Sequence, residues 1–251
     1  MRVSRLFLAL ACGVAAHAAA AADLKILSAG AFKPVLVALQ PAFEQQTGHH
    51  LVIVNDTAGG LEKRVKAGEP FDVVFSSRPS LLAMSQAGRL ASEPATPVGR
   101  VGIGVAVRKG APLPDISSVE AFRALLVNAR SVAYIDPAAG GSSGIYLDRL
   151  FERWGIAPQV RAKAVLVPGG LVATRVVDGS AEVAIHQISE ILAVPDAVLV
   201  GPVPAEIQNY TVYGGALSAA TTQGAAGREL LAALKSAKGL EILQARGMEA
   251  P

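Results

Sequence analysis

The chain has one cysteine in 251 residues, Cys12, and it lies in an N-terminal leader. Without the leader no cysteine remains, so no disulfide framework is needed and no thiolate zinc site is available. Histidine is also sparse, with four residues. His49 and His50 are adjacent ahead of a strand, so their side chains point apart and read as surface. With no clustered His/Asp set elsewhere, no structural metal and no cofactor are expected. Charge of one sign is also lacking. The formal net charge is +3, from 23 basic and 20 acidic residues. Loss of Arg2 and Arg5 with the leader leaves 21 against 20, about +1. No basic stripe is present, which excludes nucleic acid as a partner class. After the leader no apolar run is long and charge-free enough to span a bilayer. No Gly-Lys-Ser or Gly-Lys-Thr follows a glycine turn, so there is no phosphate loop. No G-x-G-x-x-G opens the first βα unit, so there is no dinucleotide fingerprint.

What is present begins with that leader. Arg2 and Arg5 precede an apolar run over residues 6–16, and Ala-rich sequence with small residues at Ala20 and Ala22 follows. This pattern is that of a secretory signal peptide over residues 1–22, cleaved after Ala22. The residue three before Cys12 is Ala9 rather than leucine, which argues against a lipid anchor. The remaining 229 residues (251 less 22) suffice for one full core or two.

Short apolar runs then alternate with helical patterns. Strands are expected over residues 24–28, 51–54, 71–77, 101–107, 131–135, 163–167, 182–186, 198–200 and 210–217. Between them lie helices starting from Phe32, with Pro34 in the first turn, and over residues 60–67, 79–87 and 145–154. A further helix opens in "PDISSVEAFRALL", where Ser117 and Glu120 have capping-box spacing. Helices 227–235 and 240–246 close the chain. Phe151 and Trp154 sit at helical spacing and read as core. Such alternation predicts an α/β fold of mostly parallel sheets flanked by helices. Two glycine-broken extended segments, "VGIGVAVRKG" and "NYTVYGGAL", read as crossings between two lobes. Residues 23–104 and 209–251 would form lobe one, and residues 105–208 lobe two.

Five strand-to-helix turns are rich in small residues. "SAGAFKP" (28–34) holds Ala31, Phe32 and Lys33. "NDTAGGL" (55–61) holds Thr57, Gly59 and Gly60. "SSRPS" (76–80) holds Ser76 and Arg78. "DPAAGGSSGIY" (136–146) holds Ser142, Ser143 and Gly144. "VPGGLVATRV" (167–176) holds Gly170. A helix N-terminus carries unpaired N–H groups and partial positive charge; glycine lets an anion come close, and Ser or Thr adds a hydroxyl. Five such turns, divided between two lobes, predict a cleft lined with anion donors at the carboxyl ends of the strands. In "IHQISE", His186 and Gln187 are candidates to face the ligand, and Ser189 to cap the next helix. A rival reading is a serine hydrolase. Residues 140–144 match G-x-S-x-G, and His186 follows with Asp178 and Glu182 as candidate acids. Against it, four residues separate the motif from its strand, and both acids lie within eight residues of His186.

With these turns in place the chain resembles the molybdate-binding branch of the periplasmic solute-binding proteins of ABC transporters. The resemblance rests on "LKILSAGAFKPVLVALQPAFEQQTG", "GGLEKRVKAGEPFDVVFSS", "GVAVRKGAP", "DPAAGGSSGIYLDRLFERWGI" and "GSAEVAIHQISEI". It implies a two-lobed fold of the type II periplasmic binding class, a hinged cleft, and a monomer in the periplasm. The implied protein is no enzyme: it captures a small anion and delivers it to an inner-membrane ABC permease. Carried over turn by turn, the family's ligand serines fall on Ala31 and on Ala58 or Gly59, and its ligand tyrosine near Gln187. Its backbone donors fall on Ser143 and near Gly170. Two hydroxyls of a tetrahedral oxyanion site are thus missing. Lys33 and Arg78 stand beside ligand turns, where a cation suits a carboxylate. Molybdate or tungstate is the expectation from the family; a di- or tricarboxylate is the expectation from these residues.

Overall fold

The computed structural model describes residues 21–251. The expected leader lies, but for its last two residues, outside that range. Ala22 already belongs to the fold: it is buried, and its N–H donates to His49 Nδ1 at 3.1 Å, so His49, expected at the surface, is buried while His50 is exposed.

Four strands come first, β1 (Asp23–Ala29), β2 (His50–Asp56), β3 (Val73–Ser77) and β4 (Thr96–Val101). The next five are β5 (Ile103–Arg108), β6 (Val132–Ile135), β7 (Ala164–Val167), β8 (Val183–Gln187) and β9 (Ala197–Pro202). The chain then returns through β10 (Thr211–Leu217). Two five-stranded sheets result, in the orders β2-β1-β3-β10-β4 and β7-β6-β8-β5-β9. In each, three strands run parallel, and one long strand lies antiparallel between its neighbours, β10 in the first and β5 in the second. This is the two-lobed α/β fold with helices flanking each sheet.

The continuous apolar run 101–107 is cut by Gly102, which separates β4 in one sheet from β5 in the other. Both crossings are tied by one side chain. Gln208 accepts from Ile103 N–H at 2.7 Å and donates to the Ile103 carbonyl at 2.9 Å. A Cβ at 102 would lie 3.0 Å from the Gln208 amide and press on this tie.

The elements follow from side-chain pattern. Helix Lys33–Thr47 takes Pro34 in its first turn, buries Val35, Leu36, Leu39 and Phe43, and ends on Gly48 at φ 74°. Phe32 stacks on Phe75 at 5.0 Å and on Tyr213 at 6.4 Å, in the first-lobe core. The second sheet is covered on both faces. Phe122, Tyr134, Leu150 and Phe151 fill one side, and Val172, Val176 and Ile191 the other. Trp154 packs edge-on against Phe122. Helix Val119–Asn128 is capped by Ser118, which accepts from Ala121 N–H at 3.1 Å. The cap expected at Ser117 therefore shifts by one residue, since Ser117 N–H is held by Asp115. Among the described residues no helix is long and apolar enough to cross a membrane.

Candidate functional site

The carboxyl ends of β1 and β2 face those of β6 and β8 across the gap between the lobes. There a cavity is lined by Gly30, Ala31, Asn55, Asp56, Thr57 and Ala58 of the first lobe. Gly141, Ser142, Ser143, Gly170, His186, Gln187 and Glu190 line it from the second, with Tyr213 at the edge. The lobes are shut on it. The cavity left between them is about 30 Å³, so any ligand larger than a few waters enters only when the lobes part.

Three long helices start at this cavity. Helix Lys33–Thr47 begins behind the short 3-10 turn Gly30–Phe32. Helix Ala58–Lys66 is capped by Thr57, whose hydroxyl accepts from Gly60 N–H at 2.9 Å. Helix Ser142–Arg153 begins behind the left-handed Gly140, φ 77°. Their dipole ends, and the N–H groups still unpaired there, favour an anion without a formal cation; at helix Ala58–Lys66 the Gly59 and Gly60 N–H groups are already bonded, to the Gly140 carbonyl and to Thr57. Among the described lining residues there is no lysine or arginine.

The second-lobe wall carries most of the polar side chains. Gln187 Nε2 donates to Ser142 Oγ at 3.1 Å and to Thr211 Oγ1 at 3.0 Å, and its Oε1 has no partner. His186 Nε2 lies 3.3 Å from Glu190 Oε2, and its Nδ1 has no partner. Burial pushes Glu190 up to about 8 and pulls His186 down to about 3. At neutral pH the site therefore holds a carboxylic acid that can donate a hydrogen bond, next to an uncharged imidazole. Burial, and then the charge of Glu190, raises Tyr213.

Of the thirteen residues expected to bind ligand, the structure brings together Ala31, Thr57, Ser142, Ser143, Gly170, His186 and Gln187. The others stand elsewhere. Phe32 is consumed by aromatic stacking in the core. Ser76 is buried within its sheet. Arg78 is exposed and faces an outer hollow with Leu81, Leu82 and Leu90, so the cation expected beside the ligand turns away from it. Lys33 donates to Asn55 Oδ1 at 3.1 Å, one residue removed from the cavity. Gly59 and Gly140 serve lobe closure. Gly59 N–H donates to the Gly140 carbonyl at 3.1 Å, and a Cβ on Gly140 would come within 2.7 Å of Gly59 Cα. Gly60 lies against the Asp56 carboxylate, where a Cβ would collide. Gly144 seats its helix on β6, where a Cβ would strike the Ile135 carbonyl. The glycine richness of residues 140–144 thus has two causes besides ligand approach: contact with the opposite lobe and close helix-on-strand packing.

The hydrolase reading has no triad behind it. Ser142 bonds Gln187 and Thr211 rather than His186. Asp178 pairs with Arg175, and Glu182 with Arg130. Ser189 caps nothing; it donates to the Ala31 carbonyl of the first lobe at 2.7 Å. Sequence reasoning missed Glu190, Asn55, Asp56 and Tyr213. For Glu190 a signal existed, a histidine and an acid four apart across a strand-to-helix turn.

The family model for bacterial extracellular solute-binding proteins matches residues 24–249. Aconitate isomerase of a Pseudomonas species is 35% identical over 232 residues, which cover 90% of this chain and 87% of that one. The periplasmic molybdate-binding protein of Azotobacter vinelandii superposes with a TM-score of 0.76 at 20% identity, over 91% of this chain and 99% of that one. PEB3 with bound L-phospholactate superposes with a TM-score of 0.68 at 16% identity, over 91% and 100%. At these identities the two structures speak for the fold alone. One relative carries an enzyme's name, so the expectation of a protein that only binds stands beside a full-length isomerase relative.

Proposed function

This chain belongs to the bacterial extracellular solute-binding protein family, and from that premise we propose that its cleft takes a small unsaturated polycarboxylate of the aconitate type. The observation that carries this is the convergence of three helix N-termini on one cavity that also holds the Glu190 and His186 pair. Three carboxylates spread over a small skeleton suit three separate N-terminal donors. A single tetrahedral oxyanion uses one compact shell of hydroxyls and amides, and here Ala31 and Ala58 provide no hydroxyl. The full-length likeness to aconitate isomerase supports the same ligand class. The buried acid–base pair favours going beyond binding, to interconversion of the geometric isomers of that ligand. Export to the periplasm and delivery to a permease complete this reading for a solute-binding protein.

Thermal unfolding tests it. A ligand bound only by the folded state, at 100 times its Kd, adds about 2.7 kcal/mol. Both aconitate isomers should raise Tm by several degrees at millimolar concentration, and molybdate, tungstate and sulfate should not. A rise with molybdate and none with any polycarboxylate would return the cleft to the oxyanion class.

A further inference from the structure

We propose that Glu190 is the catalytic residue of this cleft, moving one proton between two carbons of the bound polycarboxylate, and that His186 is its positioning residue. The inference rests on the polycarboxylate reading above. Its basis is where the carboxyl group lies. Glu190 sits on the short helix Ile188–Ile191 immediately behind β8. Ser189 pins that helix to the first lobe through the Ala31 carbonyl. The Glu190 carboxyl is thereby held over Gly30, where even a Cβ would collide with it. It therefore stands at the turn that opens helix Lys33–Thr47, among the anion donors, and not behind them. His186 Nε2 contacts Oε2 at 3.3 Å, and Oε1 faces the Gly30 turn. Burial raises the carboxyl, which makes its ionised form a stronger base than an exposed glutamate and sets it near neutral pH.

The chemistry balances without a cofactor. The substrate is a propene skeleton with a carboxylate on each carbon. Glu190 carboxylate takes a proton from the CH2 carbon, and that C–H electron pair becomes a new C=C bond to the central carbon. The pair of the old double bond moves onto the far CH carbon and into its carboxylate, giving a dienolate. The same Glu190 returns the proton to the far carbon, which becomes the new CH2. Constitution is unchanged, and the geometry of the new double bond is set by the conformation in which the cleft holds the CH2 arm. No oxidant and no second substrate enter. The helix N-termini and the Ser142 and Ser143 hydroxyls face the negative charge that grows on the dienolate.

Proton NMR of the whole protein with cis- or trans-aconitate in D2O reads this directly. Wild type should interconvert the isomers and put solvent deuterium into the CH2 or vinyl positions. Glu190→Gln should lower the rate by about 100-fold or more, while its calorimetric affinity for aconitate stays within about tenfold. Interconversion by Glu190→Gln within tenfold of wild type would overturn the proposal. If wild type binds aconitate but gives neither exchange nor interconversion, the proposal fails and the polycarboxylate reading stands. Failure to bind aconitate at all would remove that reading first. His186→Asn should displace the pH profile of kcat/KM, which a merely structural histidine would leave in place. Should Glu190→Gln not fold, the wild-type profile decides. The titratable groups that share the cavity with Glu190 are His186 of β8, Tyr213 of β10 and Asp56 of β2. The Gly30–Phe32 turn and β9 bring no titratable group, and Arg108 lies at the exposed end of β5. A kcat/KM that climbs through pH 7–8 to a plateau supports Glu190 as the base, and a flat profile overturns it.

Discussion

The first-lobe wall of the cleft offers Gly30, Ala31, Asn55, Asp56, Thr57 and Ala58, with Tyr213 at its edge, whereas the second-lobe wall offers Ser142, Ser143, His186, Gln187 and Glu190. On the first wall the polar side chains are engaged elsewhere, Asn55 with Lys33, Asp56 with Arg64, and Thr57 with Gly60 N–H and the Ala139 carbonyl, which leaves backbone N–H groups as its main donors. The other places side chains with protons to give or take against a third helix start. The contrast teaches how such a cleft can change purpose. A backbone cradle holds almost any anion, because every peptide carries the same N–H. What the anion is, and whether anything happens to it, falls to the wall with side chains.

Breaking the contact between the walls should have the largest effect. Gly140→Val puts a branched Cβ against Gly59 at a left-handed φ of 77°, where the lobes touch backbone to backbone. Calorimetry should show affinity for aconitate down at least ~100-fold, roughly 2.7 kcal/mol. Small-angle scattering should find the protein open even at saturating ligand for wild type. The second test makes the walls more alike. Ala31→Ser restores a hydroxyl on the first-lobe side. One charge-assisted hydrogen bond is worth about 1.5–3 kcal/mol, so molybdate affinity should improve by ~10-fold or more relative to aconitate. No gain would mean that the cradle at residue 31 does not meet the ligand.

Between the two walls, it is the second whose buried pair bends the stability curve with pH. Glu190 is raised from 4.5 to about 8, so its contribution is whole below pH 4.5 and is lost as pH rises toward 8. His186 is lowered from 6.5 to about 3, so its contribution is whole above pH 6.5 and is lost as pH falls toward 3. The ligand-free protein should be most stable between about pH 4.5 and 6.5, and should lose at least ~1 kcal/mol by pH 8.5, roughly 2–4 °C in Tm. Glu190→Gln should abolish the alkaline loss and spare the acid one. The smallest effect belongs to Arg78→Ala. That side chain faces an outer hollow, so aconitate affinity should stay within twofold. A tenfold loss would put the cation back beside the ligand.

The sequence carried the architecture well, because strand–helix alternation and glycine turns are local patterns. The helix from Lys33 is announced by Pro34 and Gly48, and the anion turns by their Gly, Ser and Thr content. The partner of each turn was not legible. Gly59 and Gly140 lie 81 positions apart, and nothing near either one says that they touch. Arg78 and Ser76 sit in a turn of the right composition, yet the pleat of β3 and the run of the following helix send both away from the cavity. Glu190 was passed over for the opposite reason, despite the histidine four residues before it. A glutamate beside an apolar run reads as surface, since acids are rarely buried. Only the fold reveals that Ser189 draws its turn across the gap and buries the carboxyl under Gly30. Residues of mixed use, such as Gly144, looked like ligand contacts because close packing and close ligand approach ask for the same side chain, none.

Calorimetric titration of ligand-stripped protein with trans-aconitate and, separately, with molybdate tests the polycarboxylate cleft most directly. Aconitate should bind one to one with Kd below about 10 μM, near −7 kcal/mol, and molybdate should give no heat of binding at the same concentrations. Sub-micromolar molybdate binding with no response to aconitate would contradict it.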